Sequence, residues 1–117
     1  MAEETRLGKV EITPAAIAVI AGQAVLNCYG VVGMASKSLV GGLAQLLQPD
    51  SRRGVEVKLE DDKIIIDLYV VIEYGTRIST VAHNIMSTVK FAVEKALGVP
   101  VAQVNVHVQG LRVSSGE

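Results

Sequence analysis

VEVKLEDDKIIIDLYVVIEY, residues Val55 to Tyr74, is the stretch that decides the fold class. Val55, Val57 and Leu59 alternate with Glu56 and Lys58, the period of a strand with one dry and one wet face. Glu60-Asp61-Asp62 reads as a tight turn. Alternation resumes at Lys63 and continues to Tyr74, giving the longest strand in the chain. Its even positions, Ile64, Ile66, Leu68, Val70, Ile72 and Tyr74, are all apolar. Its odd positions mix Lys63, Asp67 and Glu73 with Ile65, Tyr69 and Val71. One face is therefore core throughout, and the other is polar at its ends and apolar in its middle. Two alternating runs joined by an acidic turn make a β-hairpin.

Upstream, Thr13 to Met34 (TPAAIAVIAGQAVLNCYGVVGM) carries no charge. Thr13-Pro14 is a helix start, a hydroxyl to cap free N–H groups followed by a ring that needs none. Ile17, Ile20, Ala21, Ala24 and Cys28 form one apolar face, while Ala16, Val19 and Leu26 make the opposite side apolar too. The helix is expected to end near Cys28 or Tyr29, with Gly30 as a left-handed cap and Val31-Val32 opening a short extended piece. The stretch approaches the roughly 20 residues of a membrane span. Gln23, Asn27 and the late glycines, together with the soluble-type cap, point instead to a buried helix of a globular domain. Before it, Arg6 to Ile12 alternates as a short strand, with Lys9 and Glu11 on its wet side. After it, Ser38 to Gln48 reads as a weak helix, because Gly41-Gly42 costs about 1 kcal/mol per glycine relative to alanine. Pro49 to Gly54 is a polar, turn-rich link.

Downstream, Gly75 ends the long strand and Thr76 is the expected cap of a second helix. Ile78, Val81, Ala82, Ile85, Met86, Val89, Ala92, Val93, Ala96 and Leu97 keep the i, i+3, i+4 pattern, with polar residues opposite. Gly98 and Pro100 stop it. Val104, Val106 and Val108 then alternate with Gln103, Asn105, His107 and Gln109 as a final strand, and 113–117 reads as a disordered tail. The expected architecture is a single α+β domain over 1–112. It is a two-layer sandwich, a small mixed sheet of about four strands with helices on one face. The other face should show Lys9, Glu11, Glu56, Lys58, Asp67, Tyr69, Asn105 and His107.

Composition narrows the function. Among 117 residues there is no Trp and only one Phe, so the core is aliphatic. A net charge of −1 supplies no field to recruit nucleic acid or an anionic membrane. The N-terminus MAEETRLGK lacks the basic start and apolar centre of a signal peptide. A lone cysteine suits a reducing cytoplasm. No cofactor, metal or catalytic site is read from the chain. Cys28 reads as a small core residue, and His83 and His107 face different surfaces, so they make no acid–base pair. Glu60-Asp61-Asp62 reads as a solvated turn rather than a cation loop. Gly30-Val31-Val32-Gly33 matches the GxxG loop that approaches nucleic-acid phosphates in KH domains, but with valines where such loops carry a cation. An RNA- or small-ligand-binding regulator using that turn is the alternative reading.

Taken in order, Gly8-Lys9-Val10-Glu11-Ile12, the apolar first helix, Tyr29-Gly30-Val31-Val32-Gly33-Met34, the strand ending Glu73-Tyr74-Gly75, and Val104-Asn105-Val106-His107-Val108 resemble the alkaline shock protein family. This is the envelope stress response family widespread in Gram-positive bacteria, and the resemblance runs from about Gly8 to Leu111. It implies a small cytoplasmic protein without enzymatic activity, peripheral at the membrane where a separate anchor protein recruits it. The residues add surplus apolar surface at Val19, Leu26, Gly30, Val31, Val32, Gly33, Met34, Ile65, Tyr69 and Val71. Self-association is the simplest cover for such surface. A non-enzymatic scaffold that forms a homo-oligomer is the expected function.

Overall fold

The computed structural model describes residues 2–4, 6–35 and 54–113. The helix expected over Ser38–Gln48 and most of the Pro49–Gly54 link lie outside them, as does the tail beyond Val113. The elements are β1 (Ala2–Glu4), β2 (Lys9–Glu11), α1 (Pro14–Leu26), β3 (Val31–Met34), β4 (Val55–Glu60), β5 (Lys63–Glu73), α2 (Ile78–Leu97) and β6 (Gln103–Arg112).

Every strand of the main sheet pairs with β5. β4 runs antiparallel to its first half, from Glu60 opposite Lys63 to Val55 opposite Leu68. Asp61 and Asp62 both sit at positive φ in the turn between them, a backbone that aspartate tolerates better than most residues. β3 runs antiparallel to the second half, with Met34 opposite Val70 and Val31 opposite Ile72. The N–H and C=O of one strand residue point to the same edge. At Tyr69 the N–H donates to the Gly54 carbonyl at 2.8 Å, and the carbonyl accepts from Ala35 N–H at 2.9 Å. β3 and β4 therefore lie end to end along one edge. Gly54 sits at their junction with φ +82°, where a Cβ would come 2.5 Å from the Ala35 carbonyl oxygen, so no other residue fits without backbone movement. β6 takes the other edge, parallel to β5, from Gln103 opposite Ile65 to Arg112 opposite Glu73. A parallel neighbour requires a crossover, and α2 provides it.

Both helices lie on one face of this mixed, four-stranded sheet, so the fold is a two-layer α+β sandwich. Ile64, Ile66, Leu68, Val70 and Ile72 project from β5 into that layer and are fully enclosed. They meet Ile17, Ala21 and Val25 of α1 and Val81, Ile85, Val89 and Val93 of α2. Each large side chain buried there contributes roughly 1.5–3 kcal/mol before entropy is subtracted. α2 follows its amphipathic pattern closely. α1 buries Ile17, Ala18, Ala21, Gly22 and Val25, a stripe rotated from the one its spacing suggests. A helix apolar on all sides carries no rotational signal.

Four local expectations need correction. Lys9–Glu11 does not join the main sheet but pairs with Ala2–Glu4 in a separate two-stranded ladder, a local partner that its own alternation does not specify. Lys9 and Glu11 are accordingly not on the outer sheet face. α1 ends at Leu26 with Asn27 as its C-cap, two or three residues early, and Gly30 at φ +88° steers the chain into β3 instead of capping the helix. Thr76 does not cap α2, because its hydroxyl donates to the Glu73 carbonyl at 2.7 Å; Arg77 occupies the N-cap position without a side-chain bond. The last strand also runs further than its valine alternation, through a register shift between Val70 and Val71. Thr13 caps α1 as expected, its hydroxyl accepting from Ala16 N–H at 3.2 Å. Gly98 closes α2 in the left-handed region, and the Glu94 carboxylate accepts from Val101 N–H at 2.8 Å to fasten the turn into β6.

Candidate functional site

The outer face of the sheet, away from the helices, gathers the chain's polar strand residues. Strand register places Glu56 beside Asp67 and Lys58 beside Ile65 on the β4 side. It places Asn105 beside Asp67 and His107 beside Tyr69 on the β6 side. Asp67 is 6% exposed although both described helices lie on the opposite face. One carboxylate oxygen, Oδ1, accepts from Asn105 Nδ2 at 3.0 Å and from His107 Nε2 at 3.0 Å. The other, Oδ2, lies 3.8 Å from Lys58 Nζ. The His107 ring stacks on Tyr69 with centroids 4.6 Å apart and planes 14° from parallel. Burial pushes the Asp67 carboxyl upward, but the bonds from His107 and Asn105 and the charges of Lys58 and His107 outweigh it. It therefore titrates below its ordinary range. The arrangement ties three strands together at one anion and holds an imidazole flat against a phenol.

The sequence placed these residues on one face but did not reveal that they meet. Each histidine reads alone as a surface group, and the cluster depends on pairing residues 38 and 40 positions apart. The available signal was Asp67 itself, a charge in the middle of the longest apolar strand. A buried charge needs partners, and the alternate polar residues of the last strand were the candidates. His83 is elsewhere, exposed on α2, with Nδ1 2.8 Å from the Ser79 carbonyl. Cys28 is partly buried against the core and its thiol bonds the Ala24 carbonyl at 3.4 Å. Among the described residues no cluster of three His, Cys, Asp or Glu side chains is placed to hold a metal ion.

The expected interaction residues fall into three environments. Val19 and Leu26 stand on the outward side of α1, 38% and 47% exposed, one above the other at i, i+7 spacing. Val32 is exposed on β3, while Val31 packs against the core and Met34 is within it. Ile65 and Val71 are half-buried on the outer sheet face, and Tyr69 is buried beneath His107. Gly30 is also a packing residue, since a Cβ there would come 3.0 Å from Val81. Gly30 to Gly33 form a turn and a strand bonded to β5, not a loop between two helices, so the KH-like reading has no support. Two open clefts are lined by described residues. One of about 570 Å³ lies among Leu59, Asp61, Asp62, Val99 and Pro100; the other, of about 280 Å³, lies among Glu73, Tyr74, Thr76, Ile78 and Leu111. At 13 residues α1 spans about 20 Å, short of a roughly 30 Å hydrocarbon layer. No described helix is long and apolar enough to cross a membrane.

Residues 2–113 match the model of the alkaline shock protein 23 family, described by a cell envelope-related function. The chain is 44% identical to the uncharacterized protein YloU of Bacillus subtilis over 113 residues, covering 95% of this chain and 94% of that one. It is 40% identical to the uncharacterized protein Spy1614 of Streptococcus pyogenes, covering 93% and 92% of the two chains. Among solved structures, one titled MamM-CTD 215-293 is similar over 81% of this chain and 95% of its own, at a TM-score of 0.48 and 15% identity.

Proposed function

The chain belongs to the alkaline shock protein family, whose function is cell envelope-related, and from that premise we propose that it is a non-enzymatic scaffold. It self-associates in the cytoplasm and reaches the membrane by binding a separate anchor protein. The observation that carries this reading is the outward side of α1. Val19 and Leu26 present an apolar stripe to solvent on a helix whose opposite side is already in the core. Exposed aliphatic groups aligned on one rigid helix are what a partner helix or segment docks against. Val32 adds a third exposed branched side chain on β3. The Asp67 cluster supports the same reading from the other direction. Its histidine and carboxylate are spent on each other and on Asn105, which makes them a fastening of the sheet.

Two measurements test it. Light scattering at micromolar concentration should give an oligomer, and a clean monomer would sink the self-association half. Crosslinked pull-down from membrane and soluble fractions should recover a membrane protein with the wild-type chain and lose it with Val19→Lys. Full recovery by that variant would remove the outward side of α1 as the recruiting surface.

A further inference from the structure

The two edges of the sheet are defended very differently. One edge belongs to β4, which carries Glu56, Lys58 and Glu60 at alternate positions over its six residues, and to β3, which is uncharged but only four residues long. Charges of this kind are how sheets discourage another strand from adding to an edge. The opposite edge is β6, QVNVHVQGLR, which contains no charge before Arg112 and no proline anywhere. Among the described residues β6 is laddered to β5 alone, so half of its backbone donors and acceptors face outward without a strand partner. An edge strand that is uncharged from Gln103 to Leu111, with β-branched valines at 104, 106 and 108, is a template for pairing.

What pairs there follows from the strand's own order. Val104-Asn105-Val106-His107-Val108 reads alike in both directions, with valine at each end and at the centre and a polar amide or imidazole between. An antiparallel copy centred on Val106 sets Val106 against Val106, Val104 against Val108, and Asn105 against His107. Every pair then matches in kind, no like charges face each other, and Asn105 and His107 stay on the outer face where Asp67 already holds them. The bulge after Val70 and the charge at Arg112 confine the ladder to the first part of β6. A two-fold axis perpendicular to the sheet makes this pairing closed, so it ends at a dimer and not a fibre.

We propose that a second copy of this chain adds across β6, giving one continuous sheet through both protomers with all four main helices on one side. This rests on the self-association reading above and names its surface. It leaves the outward side of α1 free for a partner.

Hydrogen exchange and sedimentation of the full chain test it together. In the wild type, alternate amides between Val104 and Val108 should exchange more slowly as concentration rises through the dimer midpoint. Val108→Lys, at a half-exposed edge position, should weaken dimerisation about tenfold or more while circular dichroism stays unchanged. Val19→Lys should leave the midpoint where it is. An oligomer whose β6 exchange ignores concentration and whose midpoint ignores Val108→Lys would overturn the β6 assignment and leave self-association standing. A wild-type monomer would overturn both. Should Val108→Lys misfold, the wild-type exchange profile decides alone.

Discussion

At the middle of β5 both faces are hidden from water, and by opposite means. Ile64, Ile66, Leu68, Val70 and Ile72 are enclosed by two helices, through aliphatic contact without direction. Asp67 and Tyr69 have neither described helix above them. Neighbouring strands enclose them, through two 3.0 Å hydrogen bonds and a stacked imidazole. The first kind of burial tolerates small misfits and is proportional to area. The second fails if one partner is removed, since a buried polar group left without its bond costs its desolvation outright. The helix side supplies most of the stability. The outer side supplies register, because Asp67, Asn105 and His107 meet only when β5 and β6 are aligned as they are.

Substitutions on the two faces should separate these contributions. Ile66→Ala, in the fully enclosed row, should cost about 3–4 kcal/mol in urea-derived stability. A cost below about 1 kcal/mol would mean that the helix layer packs loosely. Asp67→Ala should cost about 2 kcal/mol, since it strands the Asn105 amide and the His107 ring nitrogen together. A double-mutant cycle with His107→Phe, which keeps a ring against Tyr69, should show clear coupling; additive effects would sink the idea of a shared anion. The pH dependence is smaller and has a definite sign. Asp67 titrates lower when folded than when unfolded. Its contribution is therefore complete above the ordinary carboxylate value of about 3.9 and disappears as pH falls through the lower folded value. Urea midpoints measured down this acid range should decline more steeply for the wild type than for Asp67→Asn. Equal slopes would show that the carboxylate gains nothing from its partners. Val19→Lys touches neither face and should move stability by no more than about 0.5 kcal/mol, a control for its use against partners.

The same contrast explains what could be read before folding. The inner row of β5 and the buried stripe of α2 are periodic, so Ile64 to Ile72 and Val81 to Val93 declare themselves in order. The Asp67 cluster depends on a register between strands that a 20-residue helix separates, and nothing local encodes that alignment. α1 was legible as a helix through Thr13-Pro14, yet not in its rotation, because alanine and valine surround it. Lys9–Glu11 was legible as a strand but not in its partner, since edge occupancy is a property of the whole sheet. The candidate surface was read only in part. Val19 and Leu26 are outward, whereas Met34 is core and Tyr69 lies under an imidazole.

The junction at Tyr69 has a consequence for how such a chain can vary. Ala35 and Gly54 both bond the backbone of this one residue, so the chain leaves the sheet and returns to it at a single address. Whatever is spliced between them need not span any distance, and its length can change without shifting a strand. Doubling the length of a flexible insert there costs only about 0.6 kcal/mol in closure entropy. Departure and return are thus fixed by one residue's backbone, and Gly54 and the strands on either side of it hold that address.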